Sequence, residues 1–169
     1  MKEKKKMNVN MLVMLGLLTA MEVVLSRFLS ISAWNIKIGF SFVPVVIAAI
    51  MYGPFGGGAV AALGDFVGAI LFPIGAYFPG FTLTAFLMGA IHGVFLHKKQ
   101  DVKRITAAVC MNQFGLSLFL NSLWISILYT SAYLPLLGTR AFQSLLLSVI
   151  QVVVIGVMTK TINVYLREQ

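Results

Sequence analysis

Ile38-Gly-Phe-Ser-Phe-Val-Pro-Val-Val-Ile-Ala-Ala-Ile-Met-Tyr-Gly53-Pro54-Phe-Gly-Gly-Gly-Ala-Val-Ala-Ala-Leu-Gly-Asp65-Phe-Val-Gly-Ala-Ile-Leu-Phe72 is the stretch on which the fold turns. Its 35 residues hold a single charged side chain, Asp65. About 20 apolar residues suffice to cross a ~30 Å hydrocarbon core, and a Gly-Pro pair is a strong turn signal. The stretch therefore predicts two membrane helices back to back, Ile38–Tyr52 and Phe55–Phe72, joined by a tight turn at Gly53-Pro54.

Outward from this pair the same reading gives four more helices. They are a first helix at Val9–Leu29, a fourth at Gly80–Leu96, a fifth at Arg104–Tyr129 and a sixth at Arg140–Leu166. Pro73, Gly75, Pro79 and Gly80 break the chain between the third and fourth, so Pro73–Pro79 is expected to be a structured loop. The whole chain reads as one all-α integral-membrane domain over residues 1–169, a six-transmembrane-helix bundle with no room for a second domain. The first apolar run lacks a small-residue cleavage site after it and reads as a retained helix.

Composition requires the same environment. The chain is 59% hydrophobic and 11% charged, where a soluble domain carries roughly a quarter charged residues, so much of its surface must face lipid. The net charge of +8 would also fit nucleic acid, but its distribution argues against that partner. Ten of the thirteen Lys and Arg lie in Lys2–Lys6, in Lys98–Arg104, or at Lys160 and Arg167. Cytoplasmic loops collect Lys and Arg, which puts both termini and the Lys98–Arg104 loop inside. Arg27, Lys37 and Arg140 then fall at the external face, with Ser30–Lys37, Pro73–Pro79 and Thr130–Thr139 as external loops.

For these three basic residues two readings stand: snorkelling to lipid headgroups, or convergence on an anionic ligand. Three at one face, against the positive-inside trend, favour the ligand, and the planar fork of Arg suits a carboxylate or phosphate. Asp65 lies among Ala61, Ala62, Gly64, Gly68 and Ala69, and an intramembrane acid is a functional candidate by default. Its alternatives are a structural pair with Arg27 or Arg140, or an acceptor for an amino-substituted heterocycle. Glu22 stands about 140° around the first helix from Arg27 and carries less weight.

Gln113, Ser117, Asn121 and Trp124 form a polar stripe on the fifth helix, and Arg140, Ser144, Ser148 and Gln151 a second on the sixth. Such stripes either hydrogen-bond to a neighbouring helix or line a pocket; Asn121 and Trp124, nearer the outside, fit the pocket better. Trp34, Phe40, Phe42, Phe72, Tyr77, Phe78, Phe81, Tyr129 and Tyr133 gather near the external loops. An interfacial aromatic belt explains them by default, while the loop holding Tyr77 and Phe78, stiffened by two prolines, also suits a lid over a flat ligand. The single Cys110 forms no intramolecular disulfide and no cysteine metal cluster. His92 and His97 read as structural, and no zinc, nucleophile-elbow or Walker motif is present, so the chain has no visible means of hydrolysing ATP. A lipid-modifying enzyme is less favoured because no acid–base or metal constellation stands out, and an assembly subunit because it would not need a polar aromatic pocket.

Lys37-Ile-Gly-Phe-Ser-Phe-Val-Pro44, Tyr52-Gly-Pro-Phe-Gly-Gly57 and Gly64-Asp-Phe-Val-Gly-Ala-Ile-Leu-Phe-Pro-Ile-Gly-Ala-Tyr-Phe-Pro-Gly80 resemble the S component of an energy-coupling factor (ECF) vitamin transporter. The last of these, with Asn121-Ser-Leu-Trp124 and Arg140, is similar to the folate-specific branch. The resemblance covers nearly the whole chain. It implies a multi-pass protein of the bacterial plasma membrane, not itself an enzyme, that binds its vitamin from outside. It also implies a transmembrane T component and two cytoplasmic ABC ATPases as partners, with no cofactor other than the ligand. Folate carries a flat pterin, a benzoyl linker and a glutamate with two carboxylates. Under the resemblance Asp65 and Asn121 face the pterin's amino edge, Tyr77, Phe78 and Trp124 form the aromatic walls, and Arg27, Lys37 and Arg140 hold the tail. The family's contact with the T component is an Ala pair spaced by four on the first helix; here Gly16 replaces the first and Ala20 remains.

Overall fold

The computed structural model describes residues 9–33 and 36–167, and for residues 31–38 and 162–167 only the backbone. In chain order the elements are α1 (Val9–Arg27), β1 (Ser30–Ala33), β2 (Ile36–Gly39), α2 (Phe42–Leu71), α3 (Pro79–Leu96), α4 (Val102–Cys110), a π-helical stretch (Met111–Asn121), α5 (Ser122–Tyr129) and α6 (Tyr133–Arg167). From α4 through the π-helical stretch to α5 the helix is continuous, Val102–Tyr129. Among the described residues five helical segments are long and apolar enough to cross a membrane: Val9–Arg27, Phe42–Leu71, Pro79–Leu96, Val102–Tyr129 and Tyr133–Thr161.

The second of these is a helical hairpin and not a straight rod. Gly53 leaves helical geometry with φ 78° and ψ −164°, a backbone that only glycine adopts without strain. Pro54 then opens the returning helix. In a straight helix Ala49 and Gly57 would be about 12 Å apart; here a Cβ placed on Gly57 would lie 2.7 Å from that of Ala49. The chain doubles back, and the turn predicted at Gly53-Pro54 is where it does so. Pro54 has no N–H, so the Ile50 carbonyl loses its helical donor four residues on. His97 Nδ1 supplies the replacement at 2.8 Å, with its ring 3.5 Å from the position a Gly53 Cβ would take. Since a carbonyl only accepts, the proton is on Nδ1.

Small residues set how closely the helices pack, as expected where lipid removes the hydrophobic drive between them. A Cβ on Gly57 would come within 2.6 Å of the Gly89 carbonyl on α3. Leu18, Val45, Ala48, Val60 and Ala61 pack α1 on both arms of α2. Phe42, Val46, Leu96, Ile105, Val109 and Ile155 join α2, α3, α4 and α6. Polarity on α6 is reversed relative to a soluble helix: Arg140, Gln143, Ser144, Ser148, Gln151 and Thr159 are buried, while Phe142, Leu145, Val149, Val153 and Val157 are exposed. That is the arrangement of a helix facing hydrocarbon outside and polar partners inside.

Four boundaries differ from the sequence reading. The stretch expected as an irregular loop to Lys37, with helix from Ile38, is an antiparallel two-stranded hairpin, and α2 starts at Phe42. Its register pairs Ser30 with Gly39, Ile31 with Ile38, Ser32 with Lys37 and Ala33 with Ile36. The β-branched Ile36 and Ile38 flanking Lys37 suit a strand, and the hairpin departs from the all-α expectation. The helix expected at Gly80 starts at Pro79, a residue suited to the first turn. The helix expected at Arg140 starts at Tyr133, because Pro135 falls in the first turn, where its missing N–H is harmless; Thr130, at φ 49°, is the break. The helix expected to run unbroken over Arg104–Tyr129 begins at Val102 and is π-wound over Met111–Asn121. The N-terminal lysine run, Trp34 and the Lys37 side chain lie outside the described residues.

Candidate ligand-binding site

Alternating helix direction brings the C-terminal ends of α1, α2 and α5 and the N-terminal ends of α3 and α6 to one end of the bundle. Most of the residues singled out above sit there, in three groups.

The first joins α1 to α2. Arg27, the last residue of α1, sends Nη2 to the backbone carbonyl of Asp65 at 3.4 Å. A Cβ on Gly68 would lie 2.7 Å from Arg27 Nε, so this glycine makes the space the guanidinium occupies. Nε is buried and has no partner among the described residues. Phe28 meets Phe72 edge-on with ring centroids 5.1 Å apart. Arg27 thus pairs with the Asp65 main chain and leaves its carboxylate to another donor.

That donor belongs to the second group. Thr82 Oγ1 donates to Asp65 Oδ2 at 2.8 Å and lies 3.3 Å from the Tyr77 hydroxyl. The Tyr77 ring meets Phe66 edge-on at 5.9 Å. The loop between α2 and α3 is therefore fastened to the Asp65–Phe66 pair by its tyrosine.

The third group is aromatic. Phe78 and Trp124 have centroids 5.4 Å apart at 42°, and Phe78 meets Phe81 edge-on at 6.3 Å. Trp124 Nε1 donates to Thr84 Oγ1 at 3.0 Å, and Thr84 in turn donates to the Gly80 carbonyl at 2.9 Å. A Cβ on Gly80 would lie 2.6 Å from Phe78 and 2.7 Å from Trp124, so both rings lean on bare backbone.

Asn121 ends the π-helical stretch, one turn before Trp124; its Oδ1 is buried with no partner among the described residues. Arg140 is buried on α6 and donates from Nη2 to the Ser117 carbonyl of the π-helical stretch at 3.4 Å. The structure thus draws Arg27, Asp65 and Tyr77 into one connected group and Phe78 and Trp124 into another, with Arg140 bonded to the π-helical stretch. The Lys37 backbone is on β2, opposite Ser32. Gly16 and Ala20 are remote from this end, on the exposed face of α1, where a Cβ on Gly16 would have nothing within 4 Å.

Three residues were not legible as part of this end. Thr82 and Thr84 sit on nearly opposite sides of α3 and hold Asp65 and Trp124 in turn; two threonines following Pro79-Gly80 were the available signal. Glu22, given little weight, is buried with its carboxyl group over Gly64 of α2. The two histidines serve helix contacts: buried His92 and Asn112 meet at 2.9 Å, and Asn112 Nδ2 also donates to the Met88 carbonyl at 3.0 Å.

Comparison with known proteins decides the class. The model of the ECF-type riboflavin transporter, S component, matches residues 6–167. This chain belongs to that family. Among relatives of this S component, the folate transporter FolT of Clostridium novyi (strain NT) is 44% identical over 117 residues, 69% of this chain and 68% of that protein. FolT of Leuconostoc mesenteroides subsp. mesenteroides is 34% identical over 121 residues, 70% of this chain and 65% of that one. Among solved structures, a crystal structure of FolT bound with folic acid aligns at a TM-score of 0.86 with 33% identity, covering 91% of this chain and 95% of the other. The resemblance read from Lys37–Pro44, Tyr52–Gly57 and Gly64–Gly80 is family membership.

Proposed function

We propose that this S component binds folate at the end of the bundle that carries Asp65, Trp124 and Arg140, and hands it inward with a transmembrane T component and two cytoplasmic ABC ATPases. The observation that carries the reading is the near-full-length likeness to FolT solved with folic acid. The chemistry of the site agrees with it. Flat rings call for aromatic walls and a few polar groups, which Phe78, Trp124 and Tyr77 with Asp65 and Asn121 supply for the pterin. Arg27, Lys37 and Arg140 supply positive charge for the two carboxylates of the tail. The Gly53 reversal and the long apolar helices make six crossings in this reading, with both termini cytoplasmic, as the distribution of Lys and Arg supports. The membrane is the bacterial plasma membrane.

Folate titrated onto the detergent-solubilised protein should quench Trp124 or Trp34 fluorescence and saturate. Absence of saturable pterin binding would sink the reading. A second ligand has one specific observation in its favour, the riboflavin description of the matching family. Riboflavin is uncharged and would leave the three basic residues without an anion. Saturable riboflavin binding without folate binding would replace folate and keep the S-component assignment.

A further inference from the structure

Thr82 stands between two elements that share no other polar contact among the described residues: Asp65 on α2, and Tyr77 in the loop ahead of α3. A hydroxyl has one proton and two lone pairs, and a carboxylate only accepts. The Thr82 proton is therefore committed to Asp65 Oδ2, 2.8 Å away, and the 3.3 Å contact with Tyr77 must be donated by the phenol. The result is a directed chain: Tyr77 O–H to Thr82 Oγ1, and Thr82 O–H to Asp65 Oδ2. Each link polarises the next. No described residue bonds the other carboxylate oxygen, Oδ1, so the bond from Thr82 selects which oxygen remains for a ligand.

We propose that Thr82 is a positioning residue of the binding site. Its hydroxyl fixes the Asp65 carboxylate with Oδ1 left to the amino edge of a flat heterocycle, and it tethers the Pro73–Pro79 loop to that carboxylate through Tyr77. Capture of the ring at Asp65 and seating of the loop are then one coupled event. The inference rests on the folate reading for the identity of the ring; the tether itself is made by the chain's own side chains.

Dissociation constants for folate and for pteroate, which lacks the glutamate, test it on the full chain in detergent. Thr82→Val should weaken both ligands by the same factor, about tenfold for a hydrogen bond to a charged group, and Thr82→Ser should restore both. Tyr77→Phe should weaken binding by about threefold or more in the Thr82 protein and have no further effect in Thr82→Val, because contacting residues in one network are not additive. Wild-type affinity in Thr82→Val, failure of Thr82→Ser to rescue, or an equal Tyr77→Phe loss in both backgrounds would each overturn the proposal. Nitration of Tyr77, followed by peptide mass spectrometry on ligand-free protein, separates this from the folate reading. Faster nitration in Thr82→Val and not in Thr82→Ser supports the tether even if neither pterin binds, and unchanged rates refute it.

Discussion

Thr84 is buried and carries two bonds at once, accepting from the Trp124 indole and donating to the Gly80 carbonyl. Thr84→Val keeps the shape and removes the acceptor, leaving a half-buried N–H in apolar surroundings. That costs about 1–3 kcal/mol, so a lower melting temperature is expected together with weaker folate binding, and Trp124→Phe should be less sensitive to the same change. In the proposed folate site, Arg140 is the residue that distinguishes tail from ring. Arg140→Ala should weaken folate by about tenfold or more, as for a lost charge-assisted bond, and leave pteroate much less affected; equal losses in a two-ligand titration would remove it from the tail. The acid, the aromatics and the two arginines of the candidate site were legible because charge and aromatic rings are conspicuous in an apolar chain. Thr82 and Thr84 were not. A threonine in an apolar helix ordinarily bonds to its own backbone, and its lateral partners exist only once α2 and α5 are packed beside α3. Glu22 was discounted by its angle from Arg27, yet both approach α2, because Arg27 is the terminal residue of α1 and its long side chain reaches across Gly68.

At the scale of elements, α2 was the most legible, since a Gly-Pro pair inside a long apolar run leaves few alternatives. Its packing against α3 rests on backbone meeting backbone at Gly57 and Gly89. Gly57→Leu should cost well over the ~1–3 kcal/mol of ordinary overpacking, because the obstruction is a carbonyl that cannot swing aside; loss of the monodisperse detergent-solubilised species by size-exclusion chromatography checks this. The β hairpin and the early start of α6 were misread for a shared reason. Hydropathy reports burial in lipid or protein, and both segments are apolar whatever their backbone; the pairing of β1 with β2, and Pro135 falling in a first turn, decide them locally. The π-helical winding left no mark in the apolar periodicity, although it carries Asn121 and the Ser117 carbonyl that receives Arg140. Wide turns of this kind gather at functional sites.

For the molecule as a whole, polarity is turned inside out: α6 shows lipid a row of Phe, Leu and Val and keeps its amides, hydroxyls and Arg140 within. The exposed face of α1 is different in texture, with Gly16 and Ala20 open to whatever adjoins it. In the proposed transporter this is the face for the T component, since small residues let helices approach closely. Ala20→Trp should leave folate affinity intact and abolish uptake by cells that hold the partner subunits; normal uptake would remove α1 from that contact.

The reversal at Gly53 has a consequence for how the chain enters the bilayer. As one straight helix the 30 residues of α2 would extend about 45 Å, and that single long crossing would change the parity of every crossing after it. The lysines of the Lys98–Arg104 segment would emerge on the side opposite to the amino terminus, and Arg140 would start on the interior side. In the proposed six-crossing topology, one glycine with a positive φ, followed by a residue lacking an N–H and stitched by His97, thus acts as the parity bit of the sequence: it sets the side of the membrane on which the end carrying Asp65 and Arg140 lies.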